Sequence, residues 1–145
     1  MVAATWHYAL RCGYIGDDHA AVEKRTDIIP DEEKVDRKEP YWLKVFNDGP
    51  ILYYTNRMMW RLGLVRMPFF WHVISLGLHL VNVWLVYLFL KPLVGEPTAL
   101  ASALFWGINP MLNQNVVWIS GRPYLWGMML VMAGSCCKMI YPYYI

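Results

Sequence analysis

The chain has 145 residues, of which 57% are hydrophobic and 16% aromatic, and its mean hydropathy is +0.27. A soluble domain is about 45–50% apolar, so this composition is typical of a membrane protein. The net charge of +2 comes from interleaved signs without a basic tract, which argues against nucleic-acid binding. Only Lys91, Glu96, Arg122 and Lys138 are charged after Arg66, so a polar half precedes an apolar half.

The first segment, residues 1–15, is apolar and aromatic but shorter than the roughly 20 residues that cross a bilayer. It predicts a hydrophobic helix that lies in the interface or forms part of a spanning helix. Asp17 and Asp18 follow it, close to the predicted membrane surface. Two adjacent carboxylates can take up a proton or supply oxygen ligands to a divalent cation. We interpret them as a candidate metal site, with a solvated helix cap as the alternative.

Residues 16–66 are predicted to form an extracytoplasmic loop. Its charged connector is typical of a solvated face. Residues 51–66 mix tyrosine, methionine and tryptophan with three arginines. That pattern predicts an amphipathic helix lying on the membrane, with its rings among the headgroups and its arginines facing phosphates.

The clearest spanning helix is predicted at residues 68–90, which carry no formal charge and would be roughly 34 Å long. Its polar residues recur at spacings of 3, 4 and 3 and so share one helical face. They are His72, Ser75, His79 and Asn82. Because lipid leaves polar groups unsatisfied, this face is predicted to turn toward protein or a watery cavity. His79 and Asn82 are candidate supporting residues of a site, with bonding to a neighbouring helix as the alternative.

A turn over residues 91–96 separates this helix from a short apolar run at 97–108. A last helix is predicted at about 124–141, ended by Pro142. The predicted fold class is all-α: a polytopic transmembrane protein with a membrane region at 67–145 and a loop that carries short interfacial helices.

The charge bias of the loops predicts the topology. Lys91 and Lys138 fall on one side under an alternating arrangement, and the positive-inside rule makes that side cytoplasmic. Asp17, Asp18 and Arg122 then share the extracytoplasmic side. The compartment is left open between a bacterial inner membrane and the endoplasmic reticulum.

The stretch from Asn109 to Trp126 interrupts the apolar half with amides and one arginine. Pro110 restricts the backbone before it, so a loop is predicted to begin at Asn109. Ser120 lies in a predicted turn, and Pro123 suits the start of the next helix. Arg122 is therefore expected at the mouth of two helices, where a guanidinium fork suits a phosphate or a carboxylate. The alternative is a cation that anchors a helix end at the headgroups.

Several motifs, in this order, resemble the type C integral-membrane glycosyltransferases, especially the transmembrane-and-tetratricopeptide-repeat O-mannosyltransferases and their bacterial relatives. The matching stretches are G-D-D-H at 16–19, Y-Y-T-N-R-M-M-W-R-L-G at 53–63, G-L-H-L-V-N-V at 77–83, A-L-F-W-G-I-N-P at 103–110 and V-V-W-I-S-G-R at 116–122. The charged connector and the extreme termini have no counterpart.

The resemblance implies sugar transfer from a polyprenyl-phosphate-linked donor at the extracytoplasmic face, to an acceptor that it does not identify. Asp17 would correspond to the general base, and Asp18 to its acidic neighbour, which helps to bind metal or to orient the acceptor. Arg122 would contact the lipid phosphate, with His79, Asn82, Asn109 and Ser120 as supporting polar residues.

The chain departs from the family pattern at three ionisable positions. It has Asn109 where the family usually has histidine, and it lacks the acidic residues near Gln114 and after Arg122. The family's enzymes also have many more helices, so this chain resembles the N-terminal part of one. Two alternatives stay open: a catalytically silent membrane subunit that binds lipid or a partner protein, and a small transporter or channel with His72 and His79 facing a pore.

Overall fold

The computed structural model describes residues 1–14, 50–64 and 67–140. Asp17, Asp18 and the charged connector lie outside these ranges. Every regular element within the described ranges is helical, which confirms the all-α class for that part of the chain.

Six α-helices are described. They are α1 (Val2–Trp6), α2 (Pro50–Arg61), α3 (Pro68–Val94), α4 (Glu96–Gly107), α5 (Asn113–Val117) and α6 (Arg122–Ile140). Three short 3-10 turns lie between them, at His7–Arg11, Pro110–Leu112 and Ile119–Gly121. Both α4 and α6 pack along α3, which is the central element.

The first segment is less helical than the sequence predicted. Its α-helix is five residues long, a 3-10 turn follows over His7–Arg11, and the backbone is extended at Cys12. Isolated helices of this length are unstable, so packing rather than local preference holds the segment in place. Val2, Trp6 and Ala9 are buried against α3, α4 and α5 in the main apolar core.

The central helix α3 continues past its predicted end. The sequence suggested a turn over residues 91–96, but α3 runs to Val94 with Pro92 inside its last turns. It stops where Gly95 takes a φ of 80°, a conformation open to glycine without strain. Proline lacks an amide donor and commonly breaks helices, but here Gly95 sets the boundary. By contrast, α2 ends five residues before the predicted boundary, at Arg61.

The burial pattern of α3 is the reverse of that in a soluble helix. His72, Ser75, His79 and Asn82 are all 0% exposed, which confirms that their shared face turns toward protein. The opposite face is apolar and open. Its exposed residues recur at helical spacing and are Phe69, Val73, Leu80, Val81, Trp84 and Leu88. In a soluble helix the apolar stripe faces the core and the polar residues face water.

Within the described ranges, α3 is long and apolar enough to cross a membrane, with a mean hydropathy of 2.0 over its most apolar 18 residues. The other predicted membrane helices have similar bounds to those expected, at Glu96–Gly107 and Arg122–Ile140. The first of these is 12 residues long, well under the roughly 20 needed to cross a bilayer as a single helix.

Candidate functional site

Arg122 is the first residue of α6, and its side chain is only 1% exposed. A buried guanidinium is costly unless hydrogen bonds and close contacts compensate for lost hydration. Its carbon Cζ lies 4.1 Å from the centroid of the Trp71 ring, a cation–π contact with the start of α3. The cation is therefore inside the protein rather than extended toward solvent.

Two hydrogen bonds fix the orientation of this guanidinium. Its Nε donates to the backbone carbonyl of Ile119 at 2.9 Å, and Nη2 donates to the side-chain oxygen of Asn56 at 3.1 Å. Asn56 comes from α2 and is itself buried. Together with the Trp71 ring, these contacts position Arg122 from α2, α3 and the turn before α6. These contacts fix the guanidinium, whose positive charge suits an anionic group such as a phosphate or a carboxylate.

The same region contains a second apolar cluster. Met59, Trp71 and Ile119 are its buried members, and Tyr14 packs against them together with residues of α3 and the preceding turn. Two of these residues, Trp71 and Ile119, also contact Arg122. Tyr14 precedes the candidate acidic pair by three residues. The chain that enters the acidic loop is thus anchored beside the arginine site, although Asp17 and Asp18 themselves lie outside the described residues.

The two supporting polar residues on α3 bond neighbouring helices. Asn82 donates through Nδ2 to the carbonyl of Leu125 on α6, at 3.0 Å. His79 Nε2 lies 2.8 Å from the carbonyl of Gly107, and because a carbonyl only accepts, this nitrogen carries the proton. These contacts match the helix-bonding alternative considered from the sequence. Within the described ranges, Ser75 Oγ and His79 Nδ1 are buried without a hydrogen-bond partner.

Three elements meet at Gly107, the last residue of α4, because side chains of α1 and α3 both bond to its carbonyl. Its carbonyl accepts the bond from His79 and a second bond from Trp6 Nε1 at 2.7 Å. The His79 ring also stacks on Trp106 at 5.7 Å and meets Trp6 edge-on at 5.9 Å. A Cβ added to Gly107 would lie 2.7 Å from Val83 Cγ2, so the backbone of α4 approaches α3 more closely than another residue would allow.

We predict that Gly107→Ala lowers the free energy of unfolding by about 1–3 kcal/mol, because the added methyl overpacks against the branched Val83 side chain. It also displaces a carbonyl that accepts two hydrogen bonds. The measurement is thermal unfolding in detergent. The matched control is Gly77→Ala on α3, where an added Cβ meets nothing within 4 Å. That change should be neutral or slightly stabilising because alanine favours helix, and equal destabilisation by both variants would contradict the close-approach account.

The remaining predicted residues lie in the connection between α4 and α6. Asn109 accepts a hydrogen bond from the Met111 amide through Oδ1 at 2.9 Å, closing a local turn. Ser120 is partly buried in the 3-10 turn just before Arg122. The predicted loop is in fact largely helical, with two 3-10 turns flanking α5. Pro110 follows the end of α4 as expected, but a helix resumes three residues later, at Asn113, although asparagine has a low helix propensity.

Sequence analysis missed Asn56 and Trp71. Asn56 is the single amide in a helix otherwise interpreted as a surface anchor, and Trp71 resembled an interfacial aromatic at a helix start. An amide buried in an interfacial helix signals a polar partner. The sequence held that signal, but the partner is 66 residues further along the chain.

The candidate metal site remains a prediction. Among residues 1–14, 50–64 and 67–140, no group of three or more histidine, cysteine or acidic side chains could hold a metal ion. The acidic pair lies outside that search. Arg122, Asn56 and Trp71 supply no metal-ligating carboxylate or thiolate, so the described part of the site suits an anion better than a cation.

No protein-family model, curated protein or solved structure matches this chain.

Proposed function

We propose that the chain is embedded in a membrane as part of a polytopic protein. The support is the reversed burial of α3, which hides its histidines, serine and asparagine and exposes only apolar side chains on the opposite face. A helix in lipid buries polar groups because the hydrocarbon cannot hydrogen-bond to them. The exposed residues of α4 and α6, such as Phe105, Leu130 and Val131, extend the same apolar surface.

We propose that the chain crosses back through the bilayer by means of α4 and the connection that follows it, because α4 alone is too short. Gly107 contacts α3 at Val83 and His79, whereas Arg122 contacts the same helix at Trp71. Residues 83 and 71 are 12 residues apart, or about 18 Å along the helix axis. The connection therefore carries the chain back toward the start of α3, and its irregular backbone is permitted at membrane depth because it is packed in protein. We therefore propose that Arg122 lies near the membrane surface at which α3 begins.

Labelling along α3 tests the membrane placement. We predict that a lipid-soluble thiol probe labels Val73→Cys and Val81→Cys strongly, because both positions lie on the exposed apolar face. The matched variant Ser75→Cys should label weakly because that position is 0% exposed. The background is a variant with all three native cysteines replaced by serine. Uniform labelling around the helix, or release of the chain by alkaline carbonate, would contradict the proposal.

For activity, we propose a type C glycosyltransferase or its N-terminal part, acting on a polyprenyl-phosphate-linked sugar. The observation that carries this proposal is the packing of Tyr14 in the cluster that contacts Arg122. Three residues span at most about 11 Å of extended chain. Asp17 follows Tyr14 by three residues in the chain, and its proximity to Arg122 is part of the proposal.

The proposed chemistry has two parts. A carboxylate at Asp17 takes the proton of the acceptor hydroxyl as its oxygen attacks the sugar carbon C1. The bond from C1 to the phosphate oxygen breaks, and the guanidinium of Arg122 stabilises the charge that gathers on the leaving polyprenyl phosphate. Asp18 assists by orienting the acceptor or by binding a divalent cation.

A catalytically silent subunit is the second candidate, and one observation favours it. The polar side chains of His79, Asn82 and Arg122 all bond groups of the chain itself. Such contacts are sufficient for a scaffold, and three ionisable positions of the family pattern are absent. The transporter alternative has less support, because His79 bonds the carbonyl of Gly107 on the neighbouring helix α4.

The deciding experiment is release of polyprenyl phosphate from a lipid-linked, radiolabelled sugar in proteoliposomes that contain the intact protein. Transfer of label that depends on Asp17 and Arg122 supports the enzyme. Tight binding of the lipid-linked sugar without any release, under conditions where the protein is folded and inserted, supports the silent subunit.

A further inference from the structure

An apolar groove of about 280 Å³ lies on the outer face of the bundle, between the start of α1, α3 and α4. Its lining includes Leu80, Val83, Trp84, Tyr87, Leu100 and Leu104. Trp84 is 60% exposed and belongs to the open apolar face of α3. The α3 residues of the lining extend over seven positions, or about 10 Å of helix. The lining is apolar, which suits a hydrocarbon chain.

Two opposite charges, Lys91 and Glu96, lie one helical turn from the lining residues Tyr87 and Leu100. Lys91 lies one helical turn beyond Tyr87, and its Nζ is 5.6 Å from the centroid of that ring. The same Nζ is 3.1 Å from Oε2 of Glu96, across the turn between α3 and α4. Both side chains are substantially exposed. An exposed ion pair contributes little to stability, so it can open at low cost to a competing pair of charges.

We propose that this groove binds one acyl chain of a phospholipid with an ethanolamine headgroup, with the lipid phosphate at Lys91 and the lipid ammonium at Glu96. The headgroup carries one negative charge, which is opposite to that of Lys91, and one positive charge, which is opposite to that of Glu96. A purely anionic headgroup meets repulsion from Glu96. A choline headgroup lacks the N–H donors that a primary ammonium offers to a carboxylate.

This lipid site is distinct from the proposed donor site. Lys91 is 20 residues beyond Trp71 on one continuous helix, which is about 30 Å, close to the thickness of a bilayer core. The groove thus opens to the leaflet opposite Arg122. The proposal rests on the membrane placement argued above and not on sugar transfer.

Native mass spectrometry of the detergent-extracted protein tests the groove. The protein is incubated with phosphatidylethanolamine, phosphatidylglycerol or phosphatidylcholine of matched chains, and the retained lipid is counted. We expect one phosphatidylethanolamine on the wild type. Leu100→Trp, which places a large ring in the groove, should lower retention at least tenfold. The matched control is Phe105→Trp, on the same helix, exposed, and outside the groove lining; it should bind like the wild type.

Headgroup variants test the charge assignment. Lys91→Gln should weaken retention of all three lipids by about threefold, the scale of one exposed charge contact. Glu96→Gln should remove the preference for phosphatidylethanolamine over phosphatidylglycerol. Equal retention by wild type and Leu100→Trp, or a wild-type preference for phosphatidylglycerol or phosphatidylcholine, would overturn the proposal. Carbonate extraction is used first to select protein that is inserted in the membrane. A protein that is not inserted fails at that step, before lipid retention is measured. The measurement of lipid retention does not depend on sugar transfer.

Discussion

Conversion of Asp17 to asparagine is expected to lower turnover of the lipid-linked sugar by about 10²- to 10⁴-fold, because an amide cannot accept the acceptor proton. Membrane insertion and thermal stability should not change, since the substitution preserves the size of the side chain and removes only its charge. The readout is release of polyprenyl phosphate in proteoliposomes at equal protein content. The acceptor concentration is varied so that kcat and KM are separated.

Two companion variants make this result specific. Asp31→Asn changes an acidic residue of the charged connector and should leave turnover within about twofold of the wild type, as expected for a solvated surface charge. Asp18→Asn should have an intermediate effect if it orients the acceptor, and added divalent cation should restore part of the activity if it binds metal. Full activity in the Asp17, Asp18 double variant would show that the acidic pair is only a helix cap.

Replacement of Arg122 by alanine is expected to lower kcat/KM for the lipid-linked donor by about 10- to 100-fold. That range corresponds to loss of one charge-assisted hydrogen bond to the phosphate, worth about 1.5–3 kcal/mol. Arg122→Lys should recover only part of the loss, because an ammonium lacks the planar fork and cannot stack on Trp71 in the same way. The exposed arginine of α2 provides the control, and Arg61→Ala should be close to wild type.

Arg122 also holds α2 in place, so stability has to be measured beside activity. Asn56→Ala removes the hydrogen bond from α2 but leaves the guanidinium on Trp71 and Ile119. We expect it to lower the melting temperature in detergent by less than Arg122→Ala, which removes all three contacts, and to have a much smaller effect on donor use. If both variants reduce stability and turnover in the same proportion, Arg122 is a structural anchor and the silent subunit becomes the better account.

The sequence predicted those features that depend on one helical period. The spacing of His72, Ser75, His79 and Asn82 was sufficient to place them on one face, and their complete burial agrees with it. The starts of α4 and α6 were also close to prediction, because Pro97 and Pro123 mark helix beginnings through local chemistry. Periodicity and capping act over a few residues, so one sequence is enough to detect them.

Contacts between distant segments could not be predicted in this way. The bond from Arg122 to Asn56 joins positions 66 residues apart, and that from His79 to Gly107 joins positions 28 apart. Neither of these separations along the sequence corresponds to the period of a helix or a strand. The extension of α3 through Pro92 was missed for a different reason: the conformation of Gly95, rather than the proline, determines where the helix ends. The sequence thus predicted Arg122 as a residue of the candidate site. Its contacts with Trp71 and Asn56 became known only from the structure.

The bond from Trp6 to Gly107 has a consequence for the order of biosynthesis. The indole N–H and the carbonyl that accepts it are 101 residues apart. At about 5–20 residues per second, the acceptor leaves the ribosome roughly 5–20 s after the donor. During that interval the indole has no acceptor in hydrocarbon and is retained among water and headgroups, since an unsatisfied polar group in lipid costs several kcal/mol. With the membrane placement proposed above, the first segment therefore docks only after α4 has been inserted.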